Sequence, residues 1–464
     1  MAWTLEEILT ATGGSLEGRA KARRFDEIVT DSSKVKTGSV FVALKGERFD
    51  GHRFVKDAVS RGAACLVVHE ALRTSERQGI TAVRVQDTLG GLGDLAHFRR
   101  EQYRPTVLAI TGSNGKTTTK EMLAAILQRA VFNGQGLKGR VLKTEGNFNN
   151  LVGLPLTLLR LRKAHRVVVV ELGTNRPGEI GRLAEIAAPD LAIITSVAPA
   201  HLAGLNSLAG VAKEKGALFS RMRAGGTMVI NLDDPWVRRL GGKFNGKKIT
   251  YGRGGQVRAE SGSLLDSGAT RFTLRLGQQS GQIRLHLIGQ HNVANAVGAA
   301  AMAYSLDIDL ATIRRGLESV KPYSMRMQLE NWRGIHIIND AYNANPASMM
   351  AAIKTLAEVK SDGERIAVLG DMFELGKHSP REHLRLGNQL AQAGLDRAYL
   401  LGERALDVRK GALRGGMNSD QVIVGESHSE IGQRLRAHIK KGDWLLIKGS
   451  RGMKMEAVLS ELKG

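Results

Sequence analysis

The chain is poor in cysteine and in aromatic residues. It has one cysteine, Cys65, and phenylalanine, tryptophan and tyrosine together make up 5% of its 464 residues. One cysteine cannot form an internal disulfide, which excludes a disulfide-stapled scaffold, and a buried strand thiol in a reducing cytoplasm is the expected state. The scarcity of aromatic rings leaves few surfaces on which nucleic-acid bases could stack.

Long apolar runs are also missing. No stretch of about twenty consecutive apolar residues occurs, so the sequence predicts no membrane span. The first residues, MAWTLEEILTATGG, indicate an acidic amphipathic helix rather than the basic start and apolar centre of a signal peptide. Apolar residues nevertheless make up 42% of the chain, which is enough for several cores.

The chain has fewer acidic than basic residues. The chain has 67 lysines and arginines against 45 acidic residues, a formal net charge of +22. Such an excess is typical of nucleic-acid-binding proteins, but here the basic residues are scattered and form no arginine-rich tail. The same field would attract a strongly anionic small substrate or an anionic membrane surface. We therefore expect a small anionic substrate, no nucleic acid, and at most weak association with anionic membranes.

The hydrophobic pattern divides the chain into three α/β units. The first unit covers residues 1–104, the central unit 105–321 and the third unit 322–464. Alternation of β-branched strands with helices predicts a doubly wound, mostly parallel central sheet with a small antiparallel addition near 270–287, and a Rossmann-like sheet in the third unit. The predicted strands are 39–43, 64–68, 82–85, 107–111, 167–172, 191–197, 227–231, 335–339, 365–369, 398–401, 422–424 and 444–447.

The most informative segment is VLAITGSNGKTTTKEML, residues 107–123. An apolar strand ends there in a glycine loop, and a helix-forming stretch follows. In such an arrangement the backbone amides and the positive end of the helix face an anion, while a lysine adds charge and a hydroxyl can hold Mg²⁺. The loop is shorter than the full Walker pattern, because Ile110 stands where that pattern needs glycine. We predict a nucleotide-phosphate site formed by Gly112, Ser113, Asn114, Gly115, Lys116, Thr117 and Thr118.

Other polar residues of the central unit also follow predicted strands. Ligands of doubly wound sheets bind beyond the carboxyl ends of the strands. Glu171 follows one strand and is placed like a Walker-B acid to hold Mg²⁺. His201 follows another and is a candidate metal ligand. In the loop TEGNFNN, the three asparagines Asn147, Asn149 and Asn150 offer amide groups for phosphate or metal.

The third unit repeats this pattern. The segment NDAYNANPASM places Asp340, Asn343 and Asn345 after a strand. The segment KGSRGMKME brings Lys448 and Arg451 to a basic Gly-Ser loop that can bind a second anion. Their shared placement at strand ends favours a binding site over a set of unrelated loops.

Taken together, the motifs resemble those of the Mur ligases over essentially the whole chain. They are TDSSKVKTGSVFVALKGERFDGH, TGSNGKTTTKEM, TEGNFNNLVGLP, ELGTNRPGEI, HLAGLNSLAGVAKEKGALF, GQHNVANAVGAAA, NDAYNANPASM, GDMFELG and KGSRGMKME. The resemblance implies three domains. The first would hold the UDP end of a substrate, the second ATP, and the third an incoming amine. The YNANP-SM and GDM-ELG motifs are similar to those of the members that join D-alanyl-D-alanine to UDP-N-acetylmuramoyl-tripeptide during peptidoglycan synthesis.

The resemblance also implies a mechanism. ATP would phosphorylate the tripeptide carboxylate, and the dipeptide amine would then displace phosphate from the acyl phosphate. Two Mg²⁺ ions are implied, the first held by Thr117 and Glu171 and the second partly by His201. Lys215 matches a lysine that CO₂ carbamylates in this family. The resemblance also implies that the protein is a monomer. Lys116, Lys215 and His201 are therefore the expected catalytic residues.

Further roles follow only from the resemblance. It places Asn292 and Asn295 near the adenine. Asp31 and Ser32 match the loop that binds uridine diphosphate, although Ser33 stands where the family commonly has arginine. The residues expected near the ribose and phosphates are Arg326, Asp340 and Asn343, and the other expected substrate contacts are Asn147, Asn150, Asn345, Lys448 and Arg451.

Two kinds of alternative stay open. One is another amide ligase of the same superfamily, either a ligase that adds a single amino acid or a folylpolyglutamate synthetase. No Asp-Asn-Pro occurs in the sequence, which argues against the diaminopimelate-adding relative. The other alternative is a nucleic-acid-binding P-loop ATPase, suggested by the charge of +22.

Overall fold

The computed structural model describes residues 2–46, 49–73, 79–266 and 268–464, with only the backbone described at 261–266. Within these residues the chain forms three main sheets, one in each unit. The predicted three-unit α/β architecture is thereby confirmed. None of the described helices combines the length and the apolar character that a membrane crossing requires.

The first unit is built on a small, mostly parallel sheet. Cys65 is buried in its strand, and burial raises the pKa of the thiol to about 12, as expected of an unreactive core cysteine. The three strands predicted in this unit are confirmed to within one residue at each end, and the predicted N-terminal helix is present. In spatial order the strands are Ser15–Glu17, Thr81–Arg84, Cys65–Val68, Val40–Val42 and Ile28–Val29, and the α-helices are Leu5–Thr12, Val55–Ser60 and Thr88–Tyr103.

The central sheet is parallel at one end and antiparallel at the other. Its innermost strands are β-branched or aliphatic and are buried on both faces, which suits strands that are covered by helices. The strand predicted at 191–197 ends earlier, at Ile194. In spatial order the strands are Val141–Lys143, Val167–Glu171, Thr106–Thr111, Leu191–Ile194, Thr227–Asn231, Lys247–Tyr251, Val257–Asp266, Ala269–Leu276 and Gln279–Leu285, with the last three antiparallel.

Helices cover both faces of this sheet. Three of them, Glu179–Ala187, Pro235–Gly242 and Leu310–Glu318, are amphipathic, and Pro or a polar residue begins several. They are Lys116–Leu127, Gly153–Leu159, Glu179–Ala187, Leu202–Leu205, Leu208–Ser220, Pro235–Gly242, Gln290–Tyr304 and Leu310–Glu318.

The third unit is a Rossmann-like sheet with one antiparallel edge strand. The predicted parallel strands are confirmed, whereas the edge strand Gln328–Trp332 has no counterpart in the prediction. The spatial order is Gln328–Trp332, Ile335–Asp340, Trp444–Lys448, Arg365–Gly370, Arg397–Leu401 and Val422–Gly425. The α-helices are Pro346–Ala357, Ser379–Gln392, Ala405–Arg414, His428–His438 and Glu456–Lys463.

A buried arginine joins the first unit to the central sheet. Arg100 lies near the end of the helix Thr88–Tyr103, and its side chain is fully buried. Its guanidinium donates hydrogen bonds to the carbonyls of Ala187 and Ala188 and to Asp190 Oδ2, at 3.2, 2.9 and 3.0 Å. It thereby satisfies carbonyls at the end of the helix Glu179–Ala187. Asp190 Oδ2 also accepts from the backbone nitrogen of Val107 at 2.8 Å, which ties the same group to a central strand.

We predict that Arg100→Ala lowers the free energy of unfolding by about 2–4 kcal/mol, because it leaves two carbonyls and a carboxylate without their charged donor. Urea unfolding followed by circular dichroism measures the effect. Arg314→Ala is the matched control: Arg314 is exposed on the helix Leu310–Glu318, and its loss should change stability by no more than about 0.5 kcal/mol. Equal stability of the two variants would contradict the role assigned to Arg100.

Candidate active site

The predicted phosphate loop lies between a central strand and a helix. The strand Thr106–Thr111 runs into residues 112–115, and the helix Lys116–Leu127 begins directly after them. Gly115 precedes the helix with φ +82°, and a Cβ there would collide with Asn295 Oδ1. The helix start carries no side-chain cap, so its first amide groups are free to face a ligand. The local geometry therefore suits an anion at this helix end.

Next to the loop, two side chains donate hydrogen bonds to one carboxylate, and a lysine lies nearby. Thr117 Oγ1 donates to Glu171 Oε2 at 2.9 Å, and Asn149 Nδ2 donates to Glu171 Oε1 at 2.8 Å. Glu171 ends the strand Val167–Glu171, as predicted. Lys116 Nζ donates to the carbonyl of Gly112 at 2.8 Å. Burial lowers the pKa of Lys116, Glu171 opposes that shift, and Arg326 adds to it.

The donor set around Glu171 fits Mg²⁺. It offers one carboxylate and one hydroxyl, which are the oxygen ligands that Mg²⁺ takes together with water and substrate phosphates. Among the described residues no group of three or more His, Cys, Asp or Glu side chains is arranged to hold a metal. Mg²⁺ commonly shares its coordination with substrate phosphates and water, which matches a site with one carboxylate and one hydroxyl.

A buried lysine faces the same cleft. Lys215 lies on the helix Leu208–Ser220, and 1% of its surface is exposed. Burial, together with the charge of Lys116, sets the pKa of its amine well below the usual range, and Glu214 only partly opposes this. Glu214 accepts from the backbone nitrogens of Gly178 and Ile180, each at 2.7 Å, and so is committed to the start of another helix. Lys215 thus faces the cleft as an amine for which the charged form is unfavourable.

The third unit touches the central unit at His201. His201 Nδ1 lies 2.6 Å from Glu374 Oε2, and the backbone nitrogen of Ala203 donates to the carbonyl of Glu374 at 3.0 Å. Both His201 and Glu374 have a positive φ, at +53° and +63°. Contact with His201 lowers the pKa of the Glu374 carboxyl, which favours its charged form. Two strained residues therefore meet across the boundary between the two sheets.

The third unit also reaches the phosphate loop. Asn345 Nδ2 donates to Asn114 Oδ1 at 2.8 Å. Lys448 is buried, and its Nζ donates to Asp340 Oδ2 at 2.5 Å and to the carbonyl of Asn343 at 2.9 Å. The Arg326 guanidinium stacks on the ring of Tyr342, 3.9 Å from its centroid. The carboxyl ends of the two sheets thus meet at one place.

These residues line a single cleft of about 750 Å³ between the central and third units. The cleft gathers most of the side chains that the sequence predicts. Those lining it are Ser113, Asn114, Gly115, Lys116, Thr117, Thr118, Asn147, Asn150, Glu171, His201, Lys215, Asn292, Asn295, Arg326, Asp340, Asn343, Asn345 and Lys448.

Four predicted residues do not line this cleft. The carbonyl of Gly112 accepts the hydrogen bond from Lys116 Nζ. Arg451 is exposed and pairs with Glu456 at 2.7 Å. Asp31 and Ser32 belong to the first unit, beside the 3₁₀ turn Ser32–Lys34. There Asp31 Oδ1 accepts a hydrogen bond from the hydroxyl of Ser33 at 2.7 Å. The serine that stands in place of the family's common arginine therefore stabilises the turn.

Three residues of the site have roles that the sequence did not predict. Asn149 holds Glu171, and its position as the second asparagine of the TEGNFNN triplet was the available signal. Glu214 fixes the helix start beside Lys215, which no local pattern reveals. His291 lines the cleft, and burial lowers its pKa to about 4, so its imidazole is neutral at physiological pH. Only its place next to Asn292 pointed to it.

Comparison with protein families gives three matches that together span most of the chain. The Mur ligase family, catalytic domain matches residues 24–100, and the Mur ligase middle domain matches residues 110–303. The Mur ligase, glutamate ligase domain matches residues 325–451.

Individual relatives match over nearly their whole length. The UDP-N-acetylmuramoyl-tripeptide–D-alanyl-D-alanine ligase of Escherichia coli (strain K12) is 36% identical over 99% of this chain and 98% of that protein. MurF from Acinetobacter baumannii superposes with a TM-score of 0.90 at 33% identity, covering 100% of this chain and 99% of the other. The MurF ligase from Thermotoga maritima, solved in complex with ADP, gives a TM-score of 0.83 at 28% identity, with 94% and 97% covered. The chain belongs to the Mur ligase family.

Proposed function

We propose that this chain uses ATP to join D-alanyl-D-alanine to UDP-N-acetylmuramoyl-tripeptide, with release of ADP and phosphate. The observation that carries the proposal is the shared cleft, in which a phosphate loop on the central sheet faces polar side chains from the third sheet. The curated relatives of this chain from Escherichia coli and Bacillus subtilis bear the name of this ligase. The pentapeptide product is a precursor of peptidoglycan, and the nucleotide substrates together with a single buried cysteine support a cytoplasmic location.

The reaction divides into two transfers. The tripeptide carboxylate attacks the γ-phosphorus of ATP, the bond to the β–γ bridging oxygen breaks, and ADP leaves. The amine of the dipeptide then attacks the acyl carbon, inorganic phosphate leaves with the carbon–oxygen bond electrons, and the amine gives up a proton. The first transfer brings two anions together, the carboxylate and the triphosphate, so positioning and charge neutralisation supply most of its rate enhancement.

The phosphate loop provides part of that neutralisation. The free amides at the start of the helix Lys116–Leu127 and the Lys116 ammonium would bind the β- and γ-phosphates. Mg²⁺, when bound, would offset phosphate charge, with Thr117 and Glu171 as its ligands and His201 as a ligand of a second ion. Asn149 would keep the Glu171 carboxylate oriented, and Glu374 would do the same for His201.

The remaining site residues divide by location. We assign the nucleotide to one side of the cleft and the acceptor peptide and incoming dipeptide to the other, with Asn147, Asn150, Asn345 and Lys448 on that second side. Asp31 and Ser32 would bind the uridine diphosphate, and Arg451 would meet the dipeptide carboxylate after leaving Glu456. The nucleotide contacts we propose besides the loop are Asn292, Asn295, Arg326, Asp340 and Asn343.

Lys215 is proposed to react with CO₂. A neutral amine is the reactive form: its nitrogen lone pair forms a bond to the carbon of CO₂, and a proton leaves to solvent. The low pKa of Lys215 and its place in the cleft support this step. The product is a carbamate anion, which turns a costly buried cation into a group able to face Mg²⁺.

We also propose that the domains span residues 1–104, 105–321 and 322–464 and that the protein is a monomer.

The function is tested by substrate-dependent ATP turnover. Phosphate release should require both UDP-N-acetylmuramoyl-tripeptide and D-alanyl-D-alanine, and should fall to background when either is omitted. Acceptors with lysine and with diaminopimelate at the third position, assayed side by side, identify the preferred substrate. Turnover that DNA or RNA stimulates and that is indifferent to D-alanyl-D-alanine would instead support a nucleic-acid-dependent ATPase.

Carbamylation predicts a chemical signature that is independent of turnover. Protein equilibrated with ¹³C-bicarbonate should show one carbamate carbonyl resonance that Lys215→Ala removes. Lys213→Ala is the matched control, because Lys213 lies on the same helix but is exposed, and it should keep the resonance. Lys215→Ala should also lose at least about a hundredfold in turnover. A wild-type spectrum without the resonance would refute the carbamate.

A further inference from the structure

Part of the excess positive charge of this chain is concentrated at one place outside the cleft. Two segments of the central unit, residues 128–143 and 159–166, contain no aspartate or glutamate. Together they carry eight cations, of which Lys143 and Arg160 pair with Glu121 and Glu145. The other six form what we call the amino-edge patch: Arg129, Lys138, Arg140, Arg162, Lys163 and Arg166.

Hydrogen bonds hold the two segments side by side. Gln135 Oε1 accepts from Arg140 Nη1 at 2.7 Å and from Arg166 Nε at 3.1 Å, which links the first segment to the second. The backbone nitrogen of Arg166 donates to the carbonyl of Arg140 at 2.9 Å. Gln128 Oε1 accepts from the backbone nitrogen of Gly139 at 2.9 Å and closes the base of the turn. The six cations therefore share one surface rather than being scattered over the molecule.

Acidic residues in the described part of the chain do not neutralise the patch. Five of its cations are exposed and Arg140 is half-buried. The acidic residues that flank the segments are already engaged, Glu121 with Lys143 and Glu145 with Arg160. Among the described residues, no carboxylate lies within ion-pair distance of any of the six. Six like charges on one surface repel one another, which costs stability unless an anionic partner uses them.

The patch also lies away from the reaction. Arg140 immediately precedes the strand Val141–Lys143, and Arg166 immediately precedes the strand Val167–Glu171. These are the amino ends of parallel strands, whereas the cleft lies at the carboxyl ends, one strand length or roughly 15 Å away. The cations of the patch therefore do not contact anions bound in the cleft, and they fit a second, separate partner.

The chemistry of the patch favours a lipid surface over a nucleic acid. Its hairpin, Val131–Phe132 with Gln135–Gly136, presents Val131 with 66% of its surface exposed and Phe132 half-buried. Cations around an exposed aliphatic side chain are typical of proteins that bind the interface of anionic membranes. Phe132 is the only aromatic residue in the two segments, which leaves almost no stacking surface for bases.

We propose that the amino-edge patch binds the surface of anionic phospholipid bilayers, with the phosphate headgroups on the six cations and Val131 at the acyl boundary. In this orientation the cleft faces away from the bilayer and stays open to its substrates. The interaction is electrostatic and reversible, so it weakens as salt rises. It does not rest on the proposed ligase reaction, and its test is a binding measurement.

The test is co-sedimentation of the full chain with vesicles of phosphatidylglycerol and phosphatidylethanolamine in equal parts, at about 50 and about 150 mM salt. The patch variant carries Arg129→Gln, Lys138→Gln, Arg162→Gln and Lys163→Gln, and it keeps the two arginines bonded to Gln135. The matched control loses four exposed cations of the third unit through Lys360→Gln, Lys410→Gln, Arg414→Gln and Lys440→Gln. Circular dichroism and ATP turnover without vesicles should be unchanged in both.

The wild type and the control should bind the anionic vesicles, more tightly at the lower salt, and should not bind phosphatidylcholine vesicles. The patch variant should bind at least about tenfold more weakly. Absence of wild-type binding at the lower salt, or equal loss in both variants, would overturn the proposal. So would tight binding of a single-stranded RNA or DNA 20-mer in fluorescence anisotropy without vesicle binding, because it would assign the patch to nucleic acid.

Discussion

The placement of lysine amines at the meeting edges of two sheets is the constraint on which the site depends. A cleft that accepts phosphates and carboxylates needs positive charge, yet enclosing an ammonium is costly. Lys448 meets this cost by pairing with Asp340, and Lys116 by donating to the Gly112 carbonyl near Glu171. Lys215 has Lys116 as a neighbour and a Glu214 that is committed elsewhere, so its amine favours the neutral form.

The site is composite, and its geometry therefore depends on how the units dock. The bond from Asn345 to Asn114 and the contact of Glu374 with His201 cross between two separate sheets. The positive φ angles of His201 and Glu374 each cost of order 1–3 kcal/mol, which surrounding contacts must offset. Neither sheet alone presents the complete set of groups. The junction of the two sheets allows ATP, an acceptor and a dipeptide to bind in one cleft. The amino-edge patch lies at the opposite edge of the central sheet and is available to a different partner.

Local patterns in the sequence predicted most elements of the fold and many site residues. Residues that follow a buried parallel strand, such as Glu171 and Asp340, lie at the site because strand direction alone places them there. Contacts between distant segments could not be predicted from local patterns. Asn149 contacts Glu171, 22 residues away along the chain, and Glu214 contacts Ile180, 34 residues away. The strand Gln328–Trp332 was missed because its half-buried, mixed composition lacks a clear alternation.

The central claim is that a peptide carboxylate is activated by ATP in this cleft before the amine attacks. Oxygen-18 placed in the terminal carboxylate of UDP-N-acetylmuramoyl-tripeptide tests it most directly. An acyl phosphate intermediate transfers one carboxylate oxygen to the departing phosphate, so each inorganic phosphate released with D-alanyl-D-alanine present should carry one ¹⁸O atom. Phosphate that carries no ¹⁸O while the amide product forms would contradict it.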